Sequence, residues 1–358
     1  MKLSVPERIE EITPEWITAM LKANGHLTDA SVVNTNATKL GQDMGFLSCV
    51  AKFDLTYDMD ETTAPKSIVV KIRPLDEQLL EIGEAMNAFE REIRFYQEVA
   101  PKVDARLPKF YATSGSGPEY ALIMEDLSFC RAGDQVEGMP HEMVAKTAKL
   151  MAKIQARFWN NDDLNNLDWM PESNHVECTF TDKWDSFVEH FGHLVDKEGL
   201  ALGEKLAPNI DWVINEIACR PKTITHSDLR EDNLLFGPDG TEDEVIIVDW
   251  QLATRSMGVF DVTRLMAGSS TPDERRGHEI EILRAWHNTL KAEGIDYYWE
   301  EALYDLRLAM LQCICHPVHF HTAFIDKQKG RSKLLTEAIV RRHFASAVDL
   351  QAEVALPG

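Results

Sequence analysis

Between Ile224 and Gln251 the chain reads ITHSDLREDNLLFGPDGTEDEVIIVDWQ, with a His, isolated carboxylates and a carboxamide set around two short apolar runs. Asp239-Gly240 falls between NLLF and EVIIVDW, and an Asp-Gly pair flanked by β-prone runs predicts a tight turn joining two short strands. The loop entering the hairpin then carries His226 and Asp228, Asn233 begins the first strand, and Asp249 ends the second. A hairpin brings the strand ends on one side together, so the spacing lets Asn233 and Asp249 converge.

Oxygen donors of this kind suit Mg²⁺, which takes one or two carboxylates and completes its shell with phosphate oxygens and water. Asp228 is then free to receive a proton from an attacking hydroxyl. That is the division of labour in kinase-type phosphoryl transfer, where one Asp positions the nucleophile while an Asn and a second Asp hold the metal. The same chemistry demands a Lys that reaches the phosphates from a strand and a Glu on a helix to hold it. Lys71 ends the β-like run SIVVK, and Glu92 lies one helical turn from Phe89 and Tyr96 in NAFEREIRFYQEV. LGQDMGFLS stands where a phosphate-covering loop belongs, and Gly41 and Gly45 allow a turn with backbone N–H groups aimed at an anion.

Around this centre the chain divides in character. TPEWITAMLKANG predicts a short helix stopped at Gly25. ASVVNTNATKL, FLSCVAKFDLTY and SIVVKIRP predict strands, residues 81–98 one helix, and KFYATSG with EYALIMEDL a hairpin. Beyond Leu127 come helices over HEMVAKTAKLMAKIQARFW and near residues 183–195, 212–219, 273–292, 300–315 and 333–351. The reading is a β-rich first lobe over residues 1–127 and a helical second lobe over 128–358 that contains the hairpin.

The 358 residues suffice for two such cores. A formal charge of -22 repels nucleic acid and anionic membrane, so neither is expected as a partner. No run approaches the roughly 18 apolar residues of a membrane helix. MKLSVPERIEEITPEW has no apolar signal core, and the six cysteines are scattered, which together predict a cytoplasmic protein with free thiols.

The order of parts resembles the aminoglycoside phosphotransferase and choline kinase group, built on the protein-kinase-like fold. HSDLREDN is similar to that family's His-Gly-Asp-x-x-x-x-Asn loop, with Ser227 at the usual Gly, and VDWQ is similar to its metal-binding segment. GFLS, REIRFY and GVFDVTRLM look most like the branch of ecdysteroid-kinase-like and bacterial phosphotransferase-domain proteins. The resemblance implies an α+β, two-lobed fold, ATP and Mg²⁺ as cofactors, and a hydroxylated small molecule as acceptor, with no protein partner evident. It makes Asp228 the catalytic base, Asn233 and Asp249 the Mg²⁺ ligands, and Lys71, paired with Glu92, the phosphate contact. Backbone groups of Met124, Glu125 and Leu127 would hold adenine, and Arg230 would neutralise charge on the transferred group. His226 would orient the loop, and Asp261 would brace it. A nucleotide-binding scaffold without turnover is the competing reading. CICHPVHFH, with Cys313, Cys315, His316, His319 and His321, is open to three readings: a Zn²⁺ site, an acceptor-pocket wall, or core residues at a helix end broken by Pro317.

Overall fold

The computed structural model describes residues 4–41, 47–323 and 329–357. The chain folds as two compact units. The first takes residues up to Lys102, Arg106–Arg131 and Leu235–Leu252, and the second takes Val103–Ala105, Ala132–Leu234 and the residues from Ala253 on. Leu235–Leu252, which the sequence reading leaves in the helical lobe, thus cluster with the first unit.

In the first unit, β1 (Val32–Leu40), β2 (Cys49–Tyr57), β3 (Ser67–Ile72), β4 (Phe110–Ser116) and β5 (Glu119–Glu125) form one antiparallel sheet in the order β1-β2-β3-β5-β4. Strand side chains alternate between faces. Ala51, Phe53, Ile68, Val70, Ile72, Ala121 and Ile123 therefore share one buried face. The helix Pro14–Ala23 covers it with Trp16, Ile17, Met20 and Leu21, and its N-cap Thr13 accepts from the Trp16 N–H. Lys71, between Val70 and Ile72, is turned to the opposite face.

That face carries helical structure which differs from the single helix expected over 81–98. The apolar pattern spans two helices, Glu77–Ala85 and Ala88–Arg94, separated where Asn87 takes a left-handed conformation at φ 51°, and the second continues into one π-helical turn at Phe95–Val99. Asn tolerates that region better than most residues. Gly83 makes room for the next helix, since a Cβ there would lie 2.4 Å from the Phe89 ring. Phe89 in turn stacks on Tyr120 of β5 at 5.0 Å. The chain also forms the short hairpin, with Leu234–Phe236 beside Ile246–Ile247 and Gly240 at φ 72° in the connection.

The second unit is mainly helical. Lys222–Thr225 pairs antiparallel with Thr254–Met257, and the loop from His226 onward leaves the first of these strands. Every residue of the helix Val259–Ser269 is buried, and it packs against helices His141–Arg157, Trp299–Ala323 and Arg331–Asp349. A helix apolar or paired on all sides belongs in the centre of a core. Pro317 does not end its helix as expected. Trp299–Ala323 runs through it, because Cys313, Ile314, Cys315 and Val318 are fully buried and their packing outweighs one lost backbone bond. Among the described residues no helix is long and apolar enough to cross a membrane.

Candidate active site

The first unit holds Lys71 between two carboxylates. Its Nζ lies 2.6 Å from Glu92 Oε2 and 2.7 Å from Asp249 Oδ1. Burial works against the Lys71 charge, but Asp249 and Glu92 overcome it and hold the ammonium well above its ordinary range. Burial likewise pushes the Glu92 carboxyl up to about 7, against the attraction of Lys71. The partners arrive from separate segments. Phe95, just after Glu92, stacks face to face on Trp250, next to Asp249, with ring centres 3.9 Å apart and planes 9° apart. Asp249 itself sits two residues past its strand at φ 68°, and its Oδ2 accepts only a long bond of 3.3 Å from Gln251 among the described residues.

The other expected nucleotide contacts are less uniform. Met124 lies in register with Val69 of β3 and Phe110 of β4. The Glu125 N–H donates to the Lys109 carbonyl at 2.9 Å, and the Glu125 carboxylate takes two bonds from Arg106 at 2.8 and 2.9 Å. The Leu127 carbonyl accepts from Cys130 N–H at 2.9 Å. The Glu125 N–H and the Leu127 carbonyl are therefore engaged within the unit. Gly41 has φ 63°, a conformation that favours glycine. Gly45 lies outside the described residues.

In the second unit the loop HSDLREDN is tied to the central helix. Asp261, completely buried, accepts from the His226 N–H at 2.8 Å, the Ser227 N–H at 2.9 Å and Gln155 Nε2 at 3.2 Å. Burial pushes its carboxyl up to about 7, in opposition to those donors. Ser227 adopts φ 65°, which accounts for glycine being usual at this position in the resembling family. Here a Ser holds the turn by hydrogen bonds to Thr225 Oγ1 at 3.0 Å and Thr254 Oγ1 at 2.8 Å. His226 is fully buried, and its Nδ1 accepts from the Asp228 N–H at 3.3 Å.

Asp228 is embedded in a charged network. Arg264 Nη2 meets its Oδ1 at 2.6 Å, Arg230 Nε meets its Oδ2 at 3.1 Å, and Asn233 Nδ2 donates to its Oδ2 at 3.1 Å and to its backbone carbonyl at 2.8 Å. Burial pushes the Asp228 carboxyl up, and the Arg230 and Arg264 guanidiniums more than reverse this, holding it well below the usual carboxylate range. Arg230 also donates to Asp232 Oδ2 at 2.7 Å and Gln135 Oε1 at 3.1 Å, so its pairing with Asp232 is an inner contact of the loop. Arg331 Nη2 reaches Asp232 Oδ1 at 2.7 Å.

Sequence reasoning missed Arg264. The available signal was its place one turn after Asp261 in FDVTRLM, on the same side of a helix. Taken separately, each unit offers an oxygen donor of the kind a hard divalent cation takes. Asn233 turns its amide nitrogen to Asp228 and so turns its carbonyl oxygen away, and Asp249 offers a carboxylate oxygen with one long partner. Among the described residues no three His, Cys, Asp or Glu side chains are grouped to hold a metal, so the Zn²⁺ reading of the Cys/His segment gains no support. Cys313, Cys315 and His316 are buried, His319 Nδ1 lies 2.7 Å from Thr179 Oγ1, and the His321 side chain lies outside the described residues.

Nearly the whole chain is similar in fold to phosphotransferases. A Ralstonia eutropha protein provisionally described as an aminoglycoside phosphotransferase shares 17% identity, with 93% of this chain and 96% of that chain covered, at TM-score 0.57. Aminoglycoside 2′-phosphotransferase-IIIa in its GDP complex shares 13%, covering 92% and 97%, at 0.55. Choline kinase from Cryptosporidium parvum shares 10%, covering 90% and 92%, also at 0.55. These likenesses establish the two-part, protein-kinase-like fold. None of the curated proteins matches. The ecdysteroid kinase-like family matches residues 43–295, the span that holds Lys71, Glu92, Asp228, Asn233 and Asp249, and the chain belongs to that family.

Proposed function

We propose that this protein is an ATP- and Mg²⁺-dependent phosphotransferase that acts on a hydroxyl of a small molecule. The observation that carries the reading is the buried Lys71, clasped by Glu92 and Asp249, in a chain whose other unit fixes Asp228 and Asn233 on one loop. A structural lysine has no need of two carboxylates, and burying the Lys71 and Glu92 charges beside a half-buried Asp249 is costly unless the cluster serves a ligand.

Bound MgATP supplies the γ-phosphoryl group and the charge that the metal screens. As the family resemblance implies, Asn233 and Asp249 would supply the hard oxygen ligands. Lys71 neutralises phosphate charge, and Glu92 keeps it placed. Asp228 orients the acceptor hydroxyl and takes its proton as the acceptor oxygen bonds to the γ-phosphorus. The bond to the β–γ bridging oxygen breaks, its electron pair leaves with ADP, and the proton passes from Asp228 to solvent. Arg230 stands beside Asp228, where a guanidinium favours the developing negative charge. The family name and the choline and aminoglycoside kinases of similar fold support this reaction class, and a fold leaves the acceptor open.

The test is ADP release from MgATP across a panel of hydroxylated compounds (amino sugars, amino alcohols, sterols and hydroxy acids), with Asp228→Ala as control. A compound that raises ADP release in the wild type alone supports the reading. Tight MgATP binding with no acceptor-dependent release favours the scaffold reading instead.

A further inference from the structure

The guanidinium of Arg264 is nine-tenths buried, and its one hydrogen bond among the described residues runs to Asp228 Oδ1. Its Nε and Nη1 are buried with no acceptor among the described residues. Arginines that serve the architecture of this unit look different. Arg342 donates to the carbonyls of Gln135, Gly268 and Val136, and Arg275 bonds both Glu279 and Asp349. Two buried donors without partners are costly, so stability is a poor reason for Arg264 to be where it is. What the position achieves is contact with a single carboxylate oxygen.

The two oxygens of Asp228 are held unequally. Oδ1 has the short bond to Arg264. Oδ2 has two longer ones, from Arg230 Nε and Asn233 Nδ2, both at 3.1 Å. Arg230 has other acceptors in Asp232 and Gln135, so it can leave Oδ2 without losing all its partners. Arg264 has no such alternative. It is also fixed at its base, because the same helix delivers Asp261 to the backbone of His226 and Ser227 one turn earlier. One rigid helix thus grips the loop twice, through its backbone and through the Asp228 side chain.

Building on the phosphotransfer reading above, we propose that Arg264 is a positioning residue. It holds Asp228 Oδ1 throughout the reaction and so presents Oδ2 as the oxygen that receives the acceptor hydroxyl proton. Arg230 yields Oδ2 when the acceptor arrives.

The experiment compares wild type, Arg264→Met and Arg264→Lys by crystal structure and by transfer kinetics. The expected Arg264→Met structure keeps the loop backbone on Asp261 but turns the Asp228 carboxylate out of place. Its kcat falls about 10- to 100-fold while the KM for MgATP stays within about twofold, because misplacing a group costs rate rather than nucleotide binding. Arg264→Lys, which keeps one donor and the charge, recovers part of that loss. An Asp228 carboxylate unmoved in Arg264→Met, or a kcat equal to wild type, overturns the proposal. So does a loss of MgATP affinity matching the loss of rate. If Arg264→Met does not fold, Arg264→Lys decides by the same readouts. A wild type that transfers nothing counts against the phosphotransfer reading, and the Asp228 conformation in the variant still decides the role of Arg264.

Discussion

Lys71 Nζ donates to Asp249 Oδ1 at 2.7 Å, joining the middle of the sheet to the residue just beyond the hairpin. On the phosphotransfer reading proposed above, the bond competes for the carboxylate that would hold the metal, so Lys71 and the cation would share Asp249 when a nucleotide binds.

The cluster is costly to break by halves. Lys71→Met leaves Glu92 buried without its counter-charge and should destabilise the protein by about 3–5 kcal/mol. The double variant Lys71→Met, Glu92→Leu should recover much of that stability in urea unfolding while remaining inactive. A double variant less stable than Lys71→Met would show that the pair is not coupled in this way.

Phe95 is fully buried against Trp250, and Phe95→Ala should cost about 3–5 kcal/mol through lost packing and a cavity. Since the stack sets the segment carrying Asp249, magnesium-dependent nucleotide affinity should weaken as well. Isothermal titration of nucleotide with and without Mg²⁺ would register the change, and an unaltered magnesium dependence would detach the stack from Asp249.

Ser227 offers a cleaner comparison. Ser227→Gly and Ser227→Ala both lose the hydroxyl bonds, but only glycine adopts φ 65° without strain. Ser227→Gly should be the more stable by about 1 kcal/mol. Equal midpoints in thermal unfolding would contradict this.

Asp261 predicts a pH dependence. A carboxyl raised to about 7 in the folded protein keeps its proton where the unfolded chain has already lost its own. Its contribution to stability is therefore fully present below about pH 4 and is lost as the pH rises towards 7. Asp261→Asn has no proton to lose. The stability of wild type relative to Asp261→Asn should be greater at pH 5 than at pH 8, by on the order of a few kcal/mol. Urea unfolding at the two values would measure it, and a difference that does not change with pH would rule out a titrating Asp261.

Much of the candidate site was legible because it is contiguous. His226, Asp228 and Asn233 lie on one loop, and the order of Lys71, Glu92 and Asp249 along the chain carries the rest. What stayed hidden depends on three-dimensional context. The break at Asn87 was invisible because the apolar spacing continues across it, and only a left-handed residue reveals it. Pro317 reads as a helix stop until the burial of its neighbours is seen. Arg264 reads as an ordinary charge in a helix, and its meaning comes from the carboxylate it faces. Nor does the sequence show that the Glu125 N–H already bonds Lys109 and that the Leu127 carbonyl already bonds Cys130.

The most direct test of the central claim is transfer of label from γ-³²P-ATP into a pool of hydroxylated acceptors, wild type against Asp228→Asn. The account predicts label in an organic phosphate with the wild type, and a loss of about 100-fold or more with Asp228→Asn. Label that stays in ATP, appears only as inorganic phosphate, or reaches the acceptor equally well with Asp228→Asn would contradict it.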